Sequence, residues 1–155
     1  MGNSRNFFRI ELDNPLLADM TIVEMRGQSI ETGAASVLID NISAGGLRYL
    51  SNLKLPASQH VILEFEVTIL QYPIRLLGYS VRRREVAEDL YEYGVMFTID
   101  DELQDFMVRL MNELAMRLRR TPSIMSRPPF FSGDVTDYFR SQFEPEFESE
   151  YESQA

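Results

Sequence analysis

The chain has 155 residues, 45% of them hydrophobic, enough to fill the core of one ordinary domain with sequence left over for a tail. It has no cysteine and a single histidine, His60, which excludes disulfides, zinc-thiolate sites, thiol nucleophiles and multi-histidine metal sites. The net charge is −9, but residues 134–155 hold seven acids against Arg140 alone, so that tail carries −6 and the preceding 133 residues only −3. This balance argues against affinity for nucleic acid polymers and leaves room for a small, specific anion site. Of the 15 basic residues all but Lys54 are arginine, the side chain whose planar fork bonds bidentately. No stretch approaches the roughly 20 apolar residues that cross a bilayer, and Met1 to Arg9 lack the apolar centre of a signal peptide, so membrane insertion is not expected and a cytoplasmic protein is.

Residues 1–10 read as a flexible, polar, aromatic-containing arm too short for a stable helix. Short β-branched runs at Met20 to Met25 and Ser36 to Ile39 read as strands separated by turns at Gly27 and Gly33. Asn41 to Gly46 follow as a sharp turn in which Gly45 and Gly46 would permit positive φ, and Leu47 to Leu50 resume the alternation. Val61 to Leu70 form the clearest strand, with Val61, Leu63, Phe65, Val67 and Ile69 on one face and Glu64, Glu66 and Thr68 on the other. Pro73 interrupts before a strand over Ile74 to Arg84, and Tyr93 to Ile99 complete the set. Such spacing predicts an antiparallel sheet closed into a small barrel over residues 16–99.

After Asp100, an expected N-cap, Leu103, Phe106, Met107, Leu110, Met111, Leu114 and Leu118 follow the three-and-four spacing of one helix face. A helix over 101–120 is predicted, with acids near its start, Arg117, Arg119 and Arg120 near its end, and Pro122 stopping it. Residues 121–155 read as a proline-containing linker and an acidic tail that lacks any sustained period and is expected to be disordered.

Two patterns carry the candidate chemistry. Arg5 and Arg9 form Arg-x-x-x-Arg near the start, and Asn41-Ile42-Ser43-Ala44-Gly45-Gly46 form Asn-x-Ser-x-x-Gly in a strand-to-strand turn. Each alone is commonplace; in this order they resemble the paired signature of PilZ domains. Gly78-Tyr79-Ser80-Val81-Arg82 is similar to that family's mid-barrel strand, and Tyr93-Gly94-Val95-Met96-Phe97 to its last strand. The resemblance covers about residues 5–118. It implies a six-stranded antiparallel β-barrel followed by a C-terminal amphipathic helix, in a bacterial protein that binds cyclic di-GMP between the arginine arm and the barrel.

On that resemblance Arg5, Arg9, Asn41, Ser43, Gly46 and Arg82 are the ligand-binding candidates. Arginine can bond guanine O6 and N7, stack on a base or clamp a phosphate, while Asn41 and Ser43 offer side-chain hydrogen bonds and Gly46 an unobstructed backbone. Arg82 competes with Arg83 and Arg84, and strand alternation places Arg83 on the face opposite the other two. Asp100-Asp101-Glu102 read as a helix start and not as an acid-base cluster, Phe7 and Phe8 as packing against the barrel end, and His60 as an exposed loop residue. No nucleophile, base and acid can be assembled, so no catalytic residue and no metal site is expected. The expected function is that of a cyclic di-GMP sensor that passes its signal to an unidentified effector protein, since no catalytic domain precedes Arg5. The alternative is a PilZ-like adaptor that works through protein contacts without nucleotide.

Overall fold

The computed structural model describes residues 7–141. Seven strands are followed by a helix: β1 (Ile10–Met25), β2 (Gln28–Ser29), β3 (Ala35–Ile42), β4 (Gly46–Ser51), β5 (Val61–Ile69), β6 (Tyr72–Ala87), β7 (Leu90–Phe97) and α1 (Asp101–Arg120). The sheet order is β2-β1-β3-β4-β7-β6-β5, every pairing is antiparallel, and β1 also pairs with β5. The six longer strands therefore form a closed ring, with β2 a two-residue extension beside the end of β1. Closure depends on the length of β1, whose residues 10–20 pair with β3 and whose residues 19–25 pair with β5.

Alternation fills the ring. Val61, Leu63, Phe65, Val67 and Ile69 of β5 point into one core with Leu47 and Tyr49 of β4, Leu76 of β6, and Tyr93 and Val95 of β7. Met107, Leu110, Met111 and Leu114 of α1 close one side of that core, while Met116 lies off the stripe and is exposed. Asp100 caps α1 by accepting a 2.8 Å bond from the Leu103 N–H, an interaction commonly worth about 1 kcal/mol.

The structure departs from the sequence reading in three places. Strand β1 begins at Ile10, earlier than the expected barrel start, because a shift of register between Glu11 and Leu16 lets it run past Asn14-Pro15. Pro73 does not interrupt: it lies inside β6 opposite Thr68, one residue after a tight turn in which Leu70 and Gln71 take φ of 50° and 72°. The third departure is the segment after Arg120, which over 122–141 is a structured strap and not an unstructured linker. A 3-10 turn (Pro122–Ser126) leads to backbone bonds from Leu17 N–H to the Pro129 carbonyl (2.9 Å) and from Phe131 N–H to the Pro15 carbonyl (2.7 Å). These use the side of β1 that β5 leaves free. A helical turn over 135–141 then places Phe139 on Leu38 and Leu90, outside the ring, with Leu50, Phe131, Val135 and Tyr138 packed around it. The last residues of the acidic tail lie outside the described residues.

Candidate functional site

The β3–β4 turn is held by one hydroxyl. Ser43 is fully buried, and its Oγ accepts from the N–H groups of Gly45 (3.1 Å) and Gly46 (3.2 Å) while lying 3.3 Å from the Gly46 carbonyl. The Ser43 N–H donates to the same carbonyl (2.9 Å), and Phe97 N–H donates to that of Gly45 (3.0 Å). The hydroxyl is therefore spent on the turn, and Ser43 does not offer it at the surface as the sequence reading expected. Neither Gly45 nor Gly46 takes a positive φ. Gly46 is required for another reason: a Cβ there would overlap the Val95 carbonyl oxygen of β7, so the missing side chain lets two strands meet and does not clear a path for a ligand.

Outside the ring, register gathers a row of side chains. Glu11 pairs with Asn41, Asn41 with Arg48, Arg48 with Gly94, and Gly94 with Arg82, which aligns residues of β1, β3, β4, β7 and β6 across one face. Two irregularities make this row. A bulge at Asp40 lets Asn41 meet Arg48, and another at Val81 lets Arg82 meet Gly94.

Arg9 starts the row from just before β1. Its guanidinium donates to Asn41 Oδ1 (2.7 Å), and the Asn41 amide nitrogen donates to Glu11. Asn41 is buried, so both ends of its side chain are satisfied within the protein. Arg48 comes next, with Asp40 at 2.8 Å, Glu11 at 3.1 Å and Glu92 at 3.6 Å, and Arg84 reaches Glu92 from the other side at 3.0 Å. Burial pushes the Asp40 carboxyl above its ordinary range; the Arg48 guanidinium opposes this, and Glu92 and Glu11 add to it. The bond to Asp40 pushes the Arg48 guanidinium above its own ordinary value. Arg82 lies across β7 in space that the absence of a Gly94 side chain leaves open: its Nη2 is 3.3 Å from where a Cβ would stand. Arg48, Arg82, Arg83, Arg84, Glu92 and Gly94 line a depression of about 290 Å³.

Of the six candidates, Arg9 and Asn41 touch each other, Arg82 stands at the far end of the same row, and Ser43 and Gly46 shape the turn that begins β4. Arg5 lies outside the described residues. Arg83 points elsewhere, to the Leu55 carbonyl (2.9 Å), as alternation requires. Phe7 packs on the core, whereas Phe8 is exposed. Sequence reasoning missed Glu11, Asp40, Arg48 and Glu92, which are brought together only by cross-strand register. Among the described residues no cluster of three or more metal-ligating side chains occurs, and no helix is long and apolar enough to cross a membrane.

The PilZ domain family profile matches residues 3–113. The chain belongs to the PilZ domain family. The PilZ domain of Escherichia coli YcgR with c-di-GMP has a similar structure, with TM-score 0.54 and 14% identity, over 77% of this chain and 97% of that one. The Bacillus subtilis inhibitor of motility MotI/DgrA matches with TM-score 0.55 and 15% identity, over 75% of this chain and 53% of its own. MrkH of K. pneumonia in its apo state matches with TM-score 0.53 and 14% identity, over 73% and 52%. The match thus spans nearly all of the isolated YcgR domain but about half of the two longer proteins. At these identities the likeness is one of fold. No curated protein matches the chain.

Proposed function

We propose that this PilZ domain is a receptor for cyclic di-GMP that binds on the row from Arg9 to Arg82 and passes the signal to a separate protein. The observation that carries the reading is the 2.7 Å bond from Arg9 to Asn41, which joins the two signature motifs at one end of a face with Arg82 at its other end. Arg9 and Arg82 can each bond a guanine edge or a phosphate oxygen, and Arg5, four residues before Arg9, would add a third guanidinium. Asn41 would exchange an arginine partner for a base edge. Ser43 and Gly46 contribute by fixing where β4 starts, which sets the register that puts Arg48 beside Asn41.

Binding would draw Arg9, and with it Arg5, into charge-assisted contacts with the ligand while the core of the ring stays as it is. The changed surface is the output, and chemistry on the ligand forms no part of the reading. The site of action is the cytoplasm, where a nucleotide second messenger is available. Titration calorimetry with cyclic di-GMP tests the proposal: saturable binding that Arg9→Ala weakens supports it, and a folded protein showing no heat and no competition with a labelled ligand would refute it.

A further inference from the structure

A ligand that touches both Asn41 and Arg82 must cross β4 and β7, three strand spacings of about 4.8 Å, and so must pass over Arg48 and Gly94. The route is lined with acids from three strands: Glu11 of β1, Asp40 of β3 and Glu92 of β7. Such a strip should repel a nucleotide with two phosphodiesters. We propose that Arg48 is a positioning residue of this face, holding the three carboxylates away from the ligand's charge so that an acid-bearing strip of sheet accepts a dianion. The inference rests on the reading of the chain as a cyclic di-GMP receptor.

The other charged groups leave this task to Arg48. Among the described residues it is the one cation within ion-pair distance of Glu11 and of Asp40, while Arg84 shares Glu92 with it. Arg9 is engaged by Asn41, Arg82 lies over Gly94, and Arg83 is bonded to the Leu55 carbonyl. The bulge that extrudes Asp40 beside Asn41 puts a half-buried carboxyl next to the ligand's path, where burial already favours its neutral form. Without Arg48, Asp40 would face Glu11 and Glu92 with no counter-charge of its own. The strip would then carry like charges under the phosphates, relieved only by protonation.

This gives a test that a merely structural role would not meet. Cyclic di-GMP is titrated into the parent, Arg48→Gln and Arg48→Lys at ~pH 7.5 and ~pH 5, conditions across which the ligand's phosphodiesters stay ionised and a raised carboxyl gains protons. Arg48→Gln should lose roughly tenfold or more in affinity at the higher pH and recover most of it at the lower, and Arg48→Lys should stay within about threefold of the parent. Adding Glu92→Gln to Arg48→Gln should restore part of the loss at the higher pH. Glu92→Gln alone should tighten binding about two- to threefold, and it carries the test if Arg48→Gln fails to fold. A pH-independent loss that Glu92→Gln does not relieve, or unchanged affinity in both Arg48→Gln and Glu92→Gln, would overturn the proposal. A parent that binds isolates this inference from the functional reading; a parent that does not bind removes both.

Discussion

Ser43→Ala separates the two roles open to the motif serine. In the structure Ser43 Oγ is the acceptor for two buried N–H groups, those of Gly45 and Gly46. The alanine variant keeps the backbone bond from Ser43 N–H to the Gly46 carbonyl but strands both donors in a turn that excludes water. Each buried donor left without a partner costs about 1–3 kcal/mol, and partial relaxation of the turn brings the sum to about 2–4 kcal/mol. For a domain of this size 1 kcal/mol shifts the melting temperature by roughly 3 °C, so Ser43→Ala should melt about 6–12 °C below the parent. Calorimetric melting without ligand measures this directly. Affinity for cyclic di-GMP, measured well below the melting range, should fall less than threefold, about the effect of a fraction of one hydrogen bond. A variant that melts with the parent but no longer binds would show that the hydroxyl serves the ligand and not the turn, and would refute the reasoning.

Arg9→Ala should show the opposite pattern: roughly ten- to a hundredfold weaker binding, from loss of a charge-assisted contact of about 1.5–3 kcal/mol, with little change in melting temperature. The Tyr49 hydroxyl is buried and has only a weak interaction with the buried Ser80 hydroxyl, beyond good hydrogen-bond geometry, so Tyr49→Phe should cost under about 1 kcal/mol in urea titrations, whereas Tyr93→Phe, which removes bonds to the Leu53 carbonyl and the Leu55 N–H, should cost about 1–3 kcal/mol. Phe139→Ala should lower stability by about 3 kcal/mol on denaturant unfolding, because it uncovers Leu38 and Leu90. No effect would mean that the strap does not cover the ring in solution. Asp40 has a folded-state pKa raised above its ordinary value, so its contribution favours the folded state most under acid conditions and declines as pH rises through that pKa. The stability of Asp40→Asn relative to the parent should therefore be better at neutral pH than near pH ~3.5, where Asp40 is largely protonated; a pH-independent difference would contradict the shift.

Most of the fold was legible because burial on one face imposes alternation and burial of a helix stripe imposes the three-and-four spacing. Val61 to Ile69, the helix from Asp101 and its Asp100 cap all follow from such local constraints. What was not legible depended on partners far along the chain. Asn14-Pro15 looks like a break in the sequence, yet β1 carries on through it because Phe131 N–H bonds to the Pro15 carbonyl from more than a hundred residues away. The strap escaped notice for the same reason. Phe131, Val135, Tyr138 and Phe139 show no sustained period among acids, and they become a covering layer only when Leu38, Leu50 and Leu90 are presented outside the ring.

The candidate site divides along the same line. Arg9 and Asn41 were visible as motif residues, and their contact bears out no more than their proximity. Arg48 was invisible, since Leu47-Arg48-Tyr49 reads as an arginine on the solvated face of a strand. Its significance comes from two inserted residues, Asp40 and Val81, each of which shifts the pairing by one position and so reverses which face the following residues occupy. If the same residues paired without bulges, Asp40 would oppose Arg48 and Val81 would oppose Gly94. Deleting either residue should keep those pairs, because Asn41 would then follow Ile39 directly, or Arg82 follow Ser80, in a regular ladder that still sets Asn41 against Arg48 and Arg82 against Gly94. Straightening a bulge with its residue kept would instead turn Asn41 or Arg82 from the row toward the core, opposite Leu47 or Tyr93, which is why a motif of two arginines and a turn cannot by itself define the site, and why the bulges belong to it as much as the charged groups do.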